Sequence, residues 1–224
     1  MIRESTESAA DASHDDADWW QRYDSPPVTL HPLLDAALDL FLRMGYHGTS
    51  VRAIASAANM TVPGLYYKFE SKQDILVELL TLSNQELTRR SHAALDEAAP
   101  TPRARFAALI RCVVLHMTHM QRFAHLVKEI GALDDPHRTK HIDLRDRFQK
   151  LVLTEVIAGQ TLGQFGQGDP HETTRAVLTM CTGVSEWFRI EGAATPEQIA
   201  DRYVEFARRL VLDSEHLADQ IPTD

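Results

Sequence analysis

From residue 30 onward apolar residues recur at three- and four-residue intervals, and no run alternates with period two over a useful length. That spacing limits the chain to an all-α fold built from amphipathic helices. Leu34, Ala37, Leu38 and Phe41 form one stripe, which ends at Gly45, a residue suited to a left-handed helix stop. Thr49 offers a cap to a short second helix bearing Val51, Ile54, Ala55 and Ala58. Asn59 follows, where a tight turn takes a positive φ that Asn tolerates. Thr61 caps a third helix carrying Val62, Leu65, Tyr66 and Phe69, and Ser71-x-x-Asp74 reads as a capping box opening a long fourth helix to about Ala98. Later starts are marked by proline behind a capping side chain: Thr101-Pro102, Asp135-Pro136, Asp169-Pro170 and Thr195-Pro196. They predict helices near 102–118, 136–163, 170–190 and 196–214, with a further short one over 121–133. Nine helices are expected, three short ones in front and six longer ones behind.

Composition is that of an ordinary globular protein, 44% hydrophobic and 25% charged over 224 residues. The apolar runs are too interrupted to span a bilayer, and the N-terminus lacks the pattern of a secretory signal, so the cytoplasm is the expected location. Cys112 and Cys181 fall inside apolar helical patterns and read as small buried hydrophobes. The net charge of −9 argues at first against nucleic acid, but it is unevenly spread. Residues 1–28 hold seven acids and two bases, residues 29–75 four of each, and the remainder twenty-one acids and seventeen bases. An acidic whole with one neutral, locally cationic element is compatible with specific docking of that element on DNA. Four segments are expected: an acidic arm over 1–28, a reader domain over 29–75, a helical domain over 76–214 and a tail over 215–224. Trp19, Trp20 and Tyr23, ahead of Ser25-Pro26-Pro27, could dock on the body or on a partner, and the blander reading is a loosely held tail.

Two short helices joined by a tight turn, the second rich in small polar and tyrosyl groups, have the layout of a helix-turn-helix reader. Small Ala55, Ala57 and Ala58 permit close approach, and Phe41, Ile54, Leu65 and Phe69 supply a shared core. Thr61, Pro63, Gly64 and Tyr67 are then left on the groove-facing side, with Val62 and Tyr66 beside them. A Gly and a Pro have poor helix propensity, and close backbone approach to DNA gives them a reason. Thr49, Ser50 and Arg52 begin the second helix, while Tyr67, Lys68 and Lys72 cluster where the third gives way to the fourth. Hydroxyls, cations and helix N-termini there are candidate phosphate contacts.

The run from Leu34 to Leu80, centred on GYHGTSVRAIASAANMTVPGLYYKFESKQDIL, resembles the TetR family DNA-binding domain, whose members share G-[FY]-x-x-[TS]-[ST], LY-x-[HK]-F and SK-x-x-[IL] at this spacing. The resemblance implies a dimeric, ligand-responsive repressor that binds a palindromic operator on double-stranded DNA. It also implies phosphate contacts from Thr49, Tyr67 and Lys72, and base or groove contacts from Thr61, Pro63, Gly64 and Tyr66 or Tyr67. The chain departs from the pattern at Asn59, where Gly is usual, at Lys68, where His is frequent, and at Leu30-His31-Pro32, where a basic start is common. With an acidic arm as well, binding is expected to depend on the reader helix and Lys72.

Val177, Cys181, Val184 and Phe188, then Ile199, Tyr203, Phe206 and Leu210, form stripes on the last two long helices, which in the resembling family build a four-helix homodimer interface. Of the interior residues, Phe106, Ile110, Val113, Met117, Met120, Phe123, Leu126, Phe148, Val152, Met180 and Trp187 are candidates to line an apolar effector cavity. The segment GVSEWFRIEGAATPEQIADRY resembles regulators of fatty-acid or steroid degradation, which implies an acyl-CoA effector, with Arg111, Arg122, Arg145, Arg147 and Arg189 available to phosphates or to surface ion pairs. His116, His119, His125, His137 and His141 invite an alternative metal-responsive reading, but no carboxylate or thiol stands at a diagnostic interval and no metal is assigned. No cofactor is expected. Neither the nucleotide-binding glycine patterns nor H-E-x-x-H nor G-x-S-x-G occurs, so an enzyme is not expected; an interaction module without DNA binding is the other alternative.

Overall fold

The computed structural model describes residues 18–23 and 28–212. Most of the acidic arm, Ser25-Pro26-Pro27 and the tail over 215–224 lie outside the described residues. Among those described there are helices and no strand. A 3-10 turn, Trp19–Gln21, precedes α1 (Pro32–Gly48), α2 (Val51–Ala57), α3 (Val62–Lys68) and the long α4 (Lys72–Glu97). The body continues with α5 (Pro102–His119), α6 (Gln121–Leu126) and a 3-10 turn Val127–Ala132. It then runs through α7 (Asp135–Thr161), α8 (Pro170–Thr182), the single-turn α9 (Val184–Trp187) and α10 (Pro196–Val211).

Local chemistry sets these boundaries. Thr101, Asp169 and Thr195 cap α5, α8 and α10 as expected, and Thr195 with Gln198 completes a reciprocal capping box. Asp134 rather than Asp135 caps α7, so that helix starts one residue early. The helix expected over 170–190 is split around Gly183 and stops at Trp187, because Phe188 turns extended and buries its ring. Gln121 captures the Phe188 carbonyl at 2.8 Å, which holds that turn in place. The helix expected over 121–133 is α-helical only to Leu126 and winds on as 3-10.

Two apolar cores result. One joins α1, α2, α3 and the first half of α4, with Leu33, Leu38, Ile54, Leu65, Ile75 and Leu79 fully buried. The other joins the second half of α4 to α5, α7, α8, α9 and α10. The division therefore falls inside α4, between Leu80 and Leu87, and α4 is a rigid element shared by both halves. Met120, Phe123 and Leu126 belong to the first core, so α6 seats the reader on the body. At the far end, a Cβ on Gly159 would lie 2.1 Å from Phe165, so only glycine lets that ring fold back onto Phe106.

The arm residues are not loosely held. Trp20 is buried in the body core, and its indole N–H donates to Glu97 at 2.7 Å. Arg90 of α4, itself buried, donates to the carbonyls of Trp20 at 2.7 Å and Arg22 at 2.9 Å, and to Glu86 at 2.6 Å. Tyr23 lies under the Arg90 guanidinium at 3.8 Å and stacks on His119 at 4.3 Å. Of the two readings of residues 18–23 the docked one holds: the burial of Trp20 and the hydrogen bonds from Arg90 to the backbone and from the indole to Glu97 seat the segment on α4.

Candidate nucleic-acid interface

The turn between α2 and α3 has the geometry its sequence requires. Asn59 adopts φ 53° and the Met60 N–H donates to the Ala55 carbonyl at 2.8 Å. Gly45 adopts φ 72° and breaks α1, which resumes for one more turn to Gly48. Ser50 caps α2 by accepting from Ala53 N–H, and Thr61 caps α3 by accepting from Gly64 N–H, each at 3.1 Å. A Cβ on Gly64 would stand 3.0 Å from the Thr61 hydroxyl oxygen, so glycine preserves the cap as well as a bare backbone surface.

Leu65 turns α3 inward, while Thr61, Pro63, Tyr66, Tyr67 and Lys68 are exposed and Val62 and Gly64 are half-covered. Tyr67 is 93% exposed, an aromatic ring with no intramolecular reason to be in water. Ser50 and Arg52 are also exposed at the start of α2. Most of these side chains at the start of α2 and along α3 are thus left in solvent.

Thr49 corrects the sequence reading. It is buried, and its hydroxyl donates to the Gly45 and Leu40 carbonyls at 2.8 and 3.1 Å, so it ties α1 to α2 and has no free surface for phosphate. Lys72 has a dual position. Its ammonium donates to the carbonyls of Tyr46 at 2.6 Å and Thr49 at 2.7 Å and sits 4.1 Å from the Tyr46 ring. Burial pulls its pKa below the usual lysine value. The residue completes the end of α1 and leaves the rest of its charge beside the reader.

One link between reader and body had no signal in the sequence, because its partners are some sixty residues apart. His137 of α7 contacts Asp74 of α4 at 3.0 Å and Asp134 at 2.5 Å, and Gln73 exchanges hydrogen bonds with Asp134 at 2.7 and 3.2 Å. Hydrogen bonds to Asp74 and Asp134 raise the His137 pKa above its usual value. Arg122 of α6 makes a second link, to Asp39 at 2.5 Å and Asp35 at 3.3 Å.

The effector candidates do not form one cavity wall. Phe106, Ile110, Val113, Phe148 and Val152 are closed into the body core, with Met117 and Met180 half-buried at its edge. Met120, Phe123 and Leu126 are corrected to the reader core, and Trp187 is 49% exposed and stacks on Tyr203. Arg111, Arg122 and Arg145 are engaged with Asp201, Asp35 and Asp39, and Asp146 respectively, which is the ion-pair alternative. His116 is buried, accepts or donates at Ser83, and is held neutral by burial, which takes its pKa to about 4. Among the described residues no group of three or more His, Cys, Asp or Glu could hold a metal ion.

The dimer candidates also separate. Val177, Cys181, Val184, Phe188 and Ile199 are corrected to core residues: they face the body because α8 and α10 both pack on α5. Cys112 and Cys181 are free and buried, and burial pushes both thiols up to about 12. Tyr203 is half-buried, and Phe206 and Leu210 point outward at 47% and 52% exposure.

The chain matches the description "Bacterial regulatory proteins, tetR family" over residues 33–79 and "Tetracyclin repressor-like, C-terminal domain" over residues 99–211. It is 26% identical over 175 residues to the HTH-type transcriptional repressor KstR2 of Mycobacterium tuberculosis, covering 77% of this chain and 87% of that one. The TetR family regulator PfmR from Thermus thermophilus superimposes with a TM-score of 0.68 at 30% identity, over 79% of this chain and 97% of that one. AibR, solved in complex with isovaleryl coenzyme A and operator DNA, has the same fold, with a TM-score of 0.68 at 24% identity over 78% and 95% of the two chains.

Proposed function

The chain belongs to the tetR family of bacterial regulatory proteins, and from that membership we propose that it is a cytoplasmic, dimeric repressor that α3 docks in the major groove of a palindromic operator. The observation that carries the reading is Tyr67, solvated on α3 beside Thr61, Pro63 and Gly64. Thr61, Val62, Pro63, Gly64 and Tyr66 approach base edges, and Ser50, Arg52, Tyr67, Lys68 and Lys72 take phosphates. Regulation of transcription, not catalysis, is the function of this family. Repression is supported by the likeness to KstR2, a transcriptional repressor.

The effector is an apolar molecule or an acyl-CoA ester, a class supported by the coenzyme A ester bound to AibR. The effector favours a setting of α4 that carries the two α3 helices off their half-site spacing. The test is binding to the DNA upstream of the chain's own gene across a salt series. Saturable, salt-dependent binding is expected, with Tyr67→Ala costing about tenfold or more in affinity, and release by one ester would identify the effector class. DNA binding unaffected by every ester would discard the effector class while retaining the reader; absence of salt-dependent binding would discard the reader.

A further inference from the structure

Across residues 50–68 only Arg52, Asn59 and Lys68 carry a side chain able to form paired hydrogen bonds with a base edge. All three lie outside the first turn of α3: Arg52 on α2, Asn59 in the turn between the two helices, and Lys68 at the last position of α3. The start of α3 presents a different surface. Pro63 and Tyr66 are exposed and Val62 and Gly64 half-covered, so carbon dominates it. Its side-chain polar atoms are the Thr61 hydroxyl oxygen, which accepts from the Gly64 N–H at 3.1 Å, and the Tyr66 hydroxyl. A hydroxyl both donates and accepts, so it fits the acceptors of guanine and thymine as well as the amino groups of adenine and cytosine. The major-groove feature that a carbon surface does distinguish is the methyl group of thymine.

We propose that the operator half-site is read through thymine methyl groups covered by Val62, Pro63 and Tyr66, and not through paired hydrogen bonds to guanine or adenine. The inference rests on the regulator reading above and names the class of sequence that the reader takes: thymines, on either strand, under the start of α3. A methyl group marks T·A apart from A·T as well as from both G·C orientations, so a carbon surface is sufficient to set a sequence and its direction. Sealing one methyl against carbon is worth about fourfold in affinity, and several together make a site specific. The cations at Arg52, Lys68 and Lys72 then supply attraction to phosphates that carries no sequence information.

Duplexes selected from a random library by the full chain supply the half-site for the test. Each thymine in it is replaced by deoxyuridine, which removes the methyl and keeps every hydrogen-bonding group. Each purine is replaced by its 7-deaza analogue, which removes the N7 acceptor that paired hydrogen bonds use. Uracil at each thymine under α3 should weaken binding about fourfold. The 7-deaza purines should change it by less than about twofold. Val62→Ala should bring the cost of uracil at one thymine close to none, a coupling that a loss of stability alone would not produce. Thermal melting checks that this variant folds; were it to fail, the base substitutions on the unaltered chain still decide. Binding indifferent to uracil would overturn the proposal, and so would a loss of about tenfold with a 7-deaza purine that disappears in Arg52→Ala, Asn59→Ala or Lys68→Ala. A library from which no duplex is enriched would overturn the regulator reading and this one with it, whereas enriched duplexes indifferent to uracil overturn this one alone.

Discussion

Arg90 is a charge almost without contact with water, and the groups around it explain how the core tolerates it. It donates to Glu86 and to the backbone carbonyls of Trp20 and Arg22, and its flat face covers Tyr23. Burial raises the Glu86 pKa, but hydrogen bonds from Arg89 and Arg90 outweigh that effect and hold it below the usual carboxylate value. Arg90→Ala should therefore destabilise the chain by roughly 3 kcal/mol, since it leaves a buried carboxylate with Arg89 alone and frees the turn at Trp19–Gln21. Denaturant melts would measure the loss, and a red shift of Trp20 emission would show that the turn has left the core; unchanged emission would mean the arm is held by other contacts. The aromatics of this turn stand out in the sequence, but Arg90 and Glu97 lie some seventy residues away, and no periodicity pairs them with the arm.

Each element end was legible wherever its cap is local. Thr61, Thr101, Asp169 and Thr195 each hold a backbone N–H within three residues, so the interaction is written in adjacent positions, whereas α2 is capped by Ser50 and not by the expected Thr49, whose hydroxyl is taken by the Gly45 and Leu40 carbonyls. The start of α7 differs, because Asp134 caps its own helix and also pairs with Gln73 at the start of α4. His137 then joins the two helix starts. Its pKa is raised in the folded chain, so its contribution is complete below the ordinary histidine value and is lost as pH rises through the higher folded value. Hydrogen bonds from His137 lower Asp134, and at Asp74 bonds from His137 and Ser71 outweigh burial, so the carboxylate contribution is lost as pH falls through their depressed values. The link between α7 and α4 is thus strongest in mildly acidic solution. Because burial lowers the pKa of His116 and His141, and these groups add stability as pH rises over the same range, the readout is the difference in thermal midpoint between the chain and His137→Gln, which should shrink as pH rises from about 5 to about 8. A difference that does not change with pH would assign the pH dependence to other groups.

At the scale of the whole molecule the outward surface of the last helices is where the dimer proposed above would form. Exposed Trp187, Phe206 and Leu210 flank half-buried Tyr203 in an aromatic and aliphatic strip, with Tyr203 and Phe206 edge to face at 5.8 Å. We propose this strip as the homodimer contact, in place of the five inward members of the expected set, Val177, Cys181, Val184, Phe188 and Ile199. Phe206→Glu should leave the monomer fold intact and shift sedimentation from dimer to monomer, with operator affinity falling because two linked half-sites become two separate ones. A dimer that survives Phe206→Glu would move the interface elsewhere.

The sequence by itself determined the helices, their capped starts, the φ-positive turn at Asn59 and the family of the reader, because all of these rest on interactions within a few residues of one another. Tertiary structure alone decided the rest: that Thr49 and Val177 point inward, that Trp20 is buried and that His137 and Arg122 tie the body to α4 and α1. An apolar stripe looks the same in sequence whether it faces its own core, a ligand or a second copy. Which surface it meets is a property of how the helices pack, and that is set by contacts between residues far apart in the chain.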